Sequence, residues 1–193
     1  MSTIEGEENI KSVNIRSIDI KKRLLMSSPM VEVFQSFLKD NVCSEVLVIN
    51  TNVGMEVYYC SENNYSGFIK ESFLLYTVKN ISPLKLRFRN HLNREQVHKN
   101  FQEALFTFAG YPRLFLAYAK KFIHHVKENN SNSKQVVPIL NGFFEEGLRL
   151  LAEKGNVPYY DKIQNVKNKP QKLGYNEVIK KLISEILNKK HSN

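Results

Sequence analysis

Apolar residues recur at a helical period early in the chain, change to β-type runs between residues 45 and 89, and return to a helical period beyond residue 93. A strand block followed by a helix block is the pattern of an α+β domain. Ser28-Pro29 sets an N-cap before a proline at the first helical position and opens a helix to Lys39 that turns Val33, Phe34, Phe37 and Leu38 inward. Upstream, the polar residues 1–12 read as a disordered N-terminus. Residues 13–26 fit either a short helix capped by Ser17 or an extended segment.

Glu45 to Asn50 and Met55 to Cys60 are rich in β-branched and aromatic residues and flank the turn Thr51 to Gly54, which predicts a hairpin. Glu71 to Val78 supplies a third strand, although Ile69, Phe73 and Tyr76 also fit helical spacing. Leu84 to Arg89 alternates without a fault, with Leu84, Leu86 and Phe88 on one face and Lys85, Arg87 and Arg89 on the other. The expected sheet is a small antiparallel meander of three or four strands.

Asn93 and Gln96 form a capping-box-like start for a helix to Ala109, and Pro112 opens a second that runs to about Glu128. Val137-Pro138 begins a third long helix, ended by Gly155. Residues 156–174 read as a basic linker. Asn176 caps a terminal amphipathic helix over 175–190, with Val178, Ile179, Leu182, Ile183, Ile186 and Leu187 on one stripe. The expectation is a single domain over 1–193: helix plus antiparallel sheet over 13–90, helical hairpin and third helix over 91–155, then linker and terminal helix.

Charge sharpens this picture. The net charge is +9, and it is concentrated: residues 80–130 and 154–193 each hold nine basic against three acidic residues. Such clustering marks an acidic partner or an anionic surface. Cys43 and Cys60 lack metal or disulfide spacing and read as reduced, buried small hydrophobes. No apolar run is long enough to cross a bilayer and the first residues are acidic, so a cytoplasmic protein is expected, without a transmembrane segment or peripheral membrane contact.

Catalytic signatures are missing from the sequence: there is no glycine-rich phosphate loop, GxSxG, HExxH or CxxC. Glu95-x-x-His98 has the spacing of half a carboxylate di-iron motif, but no second copy exists, and it reads as an exposed polar pair. His124-His125 point about 100° apart on a helix and read as solvated or boundary histidines. No cofactor or metal is expected.

Two features point to partners. Lys85, Arg87, Arg89 and Arg94 are the candidate residues for an acidic surface or phosphate. The stripe Val178, Ile179, Leu182, Ile183, Ile186 and Leu187 is the candidate for docking in a protein groove. Strands 46–49, 57–59 and 73–76 are also apolar on both faces, so both faces of the sheet must be covered, by this chain's own helices or in part by a partner. The leading expectation is a non-enzymatic interaction module, an adaptor, chaperone-like protein or accessory subunit with a protein partner or a second copy. The alternatives are a nucleic-acid-associated protein using the basic strand and lysine-rich tail, and a sensor or enzyme with a ligand held between helices and sheet.

Overall fold

Among the described residues, four strands and six helices follow one another in the order β1 (Ile10–Ser17), α1 (Ser28–Asn41), β2 (Val46–Thr51), β3 (Gly54–Cys60), α2 (Ser66–Thr77), β4 (Leu86–His91), α3 (Arg94–Ala109), α4 (Pro112–Asn129), α5 (Val136–Glu153) and α6 (Tyr160–Asn168). The computed structural model describes residues 9–18, 24–43, 45–77, 86–130, 133–155 and 157–169. The terminal amphipathic helix expected over 175–190 and residues Leu84 and Lys85 lie outside the described residues. No helix among the described residues is long and apolar enough to cross a membrane.

The fold is α+β, with an antiparallel four-stranded sheet and a helical C-terminal half. The strand order is β2-β3-β1-β4. Only β2 and β3 form the expected hairpin. The N-terminal strand enters between β3 and β4, pairing Ile10 with Cys60 on one side and Ser12 with His91 on the other. Residues 10–12, expected to be disordered, are thus part of a central strand. Lys11, Ser12 and Asn14 hide the hydrophobic signal of β1, yet all three are buried.

A second difference concerns residues 71–77, which belong to α2 rather than to a strand. Asn64 Oδ1 accepts the Ser66 amide at 3.0 Å and starts the helix. Ile69 and Phe73, four apart, then share the buried face, while Leu75 is 78% exposed. The apolar run FLLY carried both periods, and packing selected the helical one: Phe73 meets Phe34 edge-on at 6.3 Å, and Phe68 stacks on Phe37 at 5.9 Å. In α1 the inward residues are Val31, Phe34 and Leu38, with Phe37 half-buried, whereas Val33 faces solvent.

Both sheet faces are apolar, as the sequence predicts, and this chain's own helices cover both. On one face Ile10, Leu47, Ile49, Tyr58 and Cys60 join the core built by α3, α4, α5 and α6. On the other, Val13, Ile15, Val48, Val57 and Tyr59 pack with α1 and α2. The apolar strands therefore give no reason to invoke a partner. Residues 156–174, expected as linker, contain α6, which is tied to α4 by Lys127 Nζ donating to the Val166 carbonyl at 2.8 Å and to α5 by a Lys167–Glu145 ion pair of 2.6 Å.

The two edge strands are treated differently. At the β2 edge, Gln35 Oε1 accepts the Val48 amide at 2.7 Å while its Nε2 donates to Asn129 of α4 at 3.4 Å. At the other edge, β4 carries the exposed Arg87 and Arg89.

Helices α3 and α5 touch at Gly147. A Cβ there would press on the buried Leu105 side chain and stand 2.5 Å from Gln102 Oε1. Gln102 is pinned, since its Nε2 donates to the Phe143 carbonyl at 2.8 Å. Gly147→Ala is expected to force the helices apart and to cost about 1–3 kcal/mol, read as a lowered midpoint in urea unfolding. A variant as stable as the parent would show that the contact is loose.

Candidate anion site on the helix-covered sheet face

Strand register builds this site. Arg89, Asn14 and Glu56 lie in one row across β4, β1 and β3, because Asn14 is the direct partner of both others. The row before it is His91, Ser12 and Tyr58, and the row after it begins with Arg87 and Arg16. Side chains alternate along a strand, so all of these stand on the face that carries Tyr58, the α3–α5 side. A polar island is thereby set into an otherwise apolar layer.

Glu56 is its innermost member. Its Oε2 accepts the hydroxyls of Tyr58 and of Tyr118 from α4, each at 3.2 Å. Burial pushes the Glu56 carboxyl up, against the pull of Arg16 and the two tyrosine hydrogen bonds. The same burial, added to the charge of Glu56, drives both phenols well above their ordinary value. They act as fixed donors.

Beside Glu56, Asn14, Arg16, Arg87 and Arg89 line a cavity of about 60 Å³. Asn14 is 3% exposed, and neither its Oδ1 nor its Nδ2 has a hydrogen-bond partner. A buried amide with both ends unmet is uncommon and costly. Among the described residues, none of the three arginines forms an ion pair with a carboxylate, and Arg16 feels Glu56 only as a neighbouring charge. Three guanidinium groups around an unsatisfied amide form a cradle for an oxyanion.

Gly54 lets Arg16 lie there. A Cβ at position 54 would fall 2.5 Å from the Ile15 carbonyl oxygen and 3.0 Å from Arg16 Cγ, and the backbone has φ +155°. His91 borders the cradle with Nδ1 3.1 Å from Ser12 Oγ. Burial, and then the charge of Arg89, lowers the His91 pKa. Ser12 is 1% exposed, so this contact is a buried polar bridge between β1 and β4, with no room for a substrate at the hydroxyl.

Of the four sequence candidates, the fold brings Arg87 and Arg89 into the cradle. Lys85 and the stripe Val178, Ile179, Leu182, Ile183, Ile186 and Leu187 lie outside the described residues. Arg94 belongs elsewhere: it sits over the Phe143 ring, 5.8 Å from its centroid, and lines a separate cleft of about 860 Å³ between α3 and α5. In that cleft His98 pairs with Glu146 of α5 at 2.9 Å. The described residues contain no group of three or more His, Cys, Asp or Glu able to hold a metal ion.

Cys43 and Cys60 are free, and burial pushes the Cys60 thiol up to about 12. His124 is exposed and meets Glu128 at 3.1 Å, whereas His125 turns inward between α4 and α1.

Sequence reasoning missed Asn14, Arg16 and Glu56. One signal was available: Glu56 is a lone acid inside the apolar run MEVYYC. The polar residues of β1 gave none without knowledge of their strand partners. The chain matches no family model and no curated protein.

Proposed function

We propose that this protein is a non-enzymatic interaction module that grips an anionic group of a protein partner between β1 and β4. The observation that carries this reading is the trio Arg16, Arg87 and Arg89, without carboxylate partners among the described residues, around the buried and unsatisfied amide of Asn14. Arginine forks in a partly dry cleft bind oxyanions by paired, charge-assisted hydrogen bonds, each worth about 1.5–3 kcal/mol. Arg87 and Arg89 are exposed on the edge strand, so an incoming group meets them first. The chain's net charge of +9 favours acidic surfaces as partners. The cavity seats one small oxyanion at a time, which suits a single acidic side chain better than a run of backbone phosphates.

The test is fluorescence polarisation of a labelled peptide carrying a glutamate cluster, titrated with the full chain. The double variant Arg87→Ala/Arg89→Ala is expected to weaken binding at least tenfold while unfolding at the same urea midpoint, since both residues are exposed and form no ion pair among the described residues. Undiminished binding by that variant would remove the cradle from the interface. A labelled single-stranded oligonucleotide run alongside decides the nucleic-acid alternative. Tighter binding than the peptide, falling steeply with salt and lost in the same variant, would replace the protein partner with nucleic acid.

A further inference from the structure

We propose that the group held by the cradle is a phosphate monoester, such as a phosphorylated side chain, rather than a carboxylate. The inference rests on the anion reading above and adds the identity of the ligand. Two features of the cavity separate the two groups.

The first is charge. Arg16, Arg87 and Arg89 bring three positive charges, and the one acid beside them, Glu56, already accepts the hydroxyls of Tyr58 and Tyr118. A carboxylate carries one negative charge. A phosphate monoester carries about −1.5 to −2 near neutral pH and balances the site more nearly.

The second is the number and arrangement of donors. The guanidinium groups come from two adjacent strands, Arg16 facing Arg87 across the β1–β4 ladder and Arg89 lying one row away beside Asn14. All three residues line the same cavity. A planar carboxylate presents two oxygens and is satisfied by a single fork. A phosphate monoester presents three terminal oxygens, one for each arginine, and leaves its ester oxygen pointing out past the exposed Arg87 and Arg89. Asn14 Nδ2 is then a further donor, and its Oδ1 can accept a spare guanidinium N–H. Both ends of the unmet amide gain partners.

The diester of a nucleic-acid backbone has two free oxygens and one charge, so it falls on the carboxylate side of the same comparison.

The experiment is isothermal titration calorimetry of the full chain at pH 7.5 with three probes: a phosphoserine peptide, the same peptide with glutamate in that place, and inorganic phosphate. The phosphoserine peptide is expected to bind at least tenfold more tightly than its glutamate counterpart. Arg87→Ala is expected to remove at least tenfold from the phosphopeptide affinity. Arg16→Lys, which keeps the charge and loses the fork, is expected to reduce the preference for phosphate as well as the affinity. Equal affinity for the two peptides would overturn the phosphate assignment and leave the anion reading standing. Heat from inorganic phosphate alone would assign the cavity to the free ion and overturn the ester. No binding by any probe would end both readings.

Discussion

Lowering the pH from 6.5 to 4 is expected to strip about 3 kcal/mol from the folded state through one residue, His125. Its side chain is 18% exposed, and its Nε2 is buried without a partner. Burial, with the charges of Lys121 and His124 behind it, lowers its pKa from 6.5 to about 4. The Glu128 carboxylate, 3.9 Å from Nδ1, favours the opposite shift, but it is half-exposed and already engaged by His124 at 3.1 Å. The remaining charged group of that cleft, Glu32 of α1, is exposed.

The unfolded chain therefore takes up this proton near pH 6.5, and the folded chain not until about pH 4. Stability is complete above the first value and is lost as the pH falls to the second. Glu56 works in the other direction in the upper part of this window, because its raised pKa favours the folded state on acidification. Burial opposes the charge of Glu45, yet hydrogen bonds from Ser133, Lys134, Val136 and Gln135 hold it below 4.5, so it acts only at the bottom of the range. Urea unfolding at several pH values checks this. His125→Gln is expected to flatten the loss between pH 6.5 and 4, and an unchanged slope in that variant would assign the acid sensitivity elsewhere.

Glu56→Ala is expected to cost about 3–5 kcal/mol, and Glu56→Gln only about 1. Alanine would leave the buried hydroxyls of Tyr58 and Tyr118 without their shared acceptor and Arg16 without its nearest opposite charge. Glutamine keeps the shape and one carbonyl oxygen where both hydroxyls already point. Chemical unfolding at pH 7 separates the two variants. Equal losses would mean that volume, and not hydrogen bonding, is what Glu56 contributes.

The long helices were legible because their signals are local. Asn93 caps α3 through the Gln96 amide at 2.9 Å, as the residue pattern predicts, and Pro112 stands in the first turn of α4. The stripes of α4 and α5 keep one period over 18 residues each, long enough to outvote any competing pattern. In α2 the competing signals were equal. Phe73, Leu74, Leu75 and Tyr76 satisfy a buried strand as well as a helix, and aromatic contacts with Phe34 and Phe37 of α1 decided between them.

The basic strand shows the same division within the candidate site. Its alternation marked Arg87 and Arg89 as sharing one face before any fold was known, since a strand's period of two sets them on the same side whatever it pairs with. Which groups stand beside them is a question of pairing, and pairing joins residues far apart in the chain. Asn14 reaches Arg89 and Glu56 only because β1 inserts between β3 and β4. Sequence alone thus determined the class of the fold, the helical half and a charged strand, all of them consequences of spacing between near neighbours. The tertiary structure decided that a polar N-terminal segment becomes a central strand. Only there do one amide, one carboxyl and three arginines from separate parts of the chain come together as the candidate site.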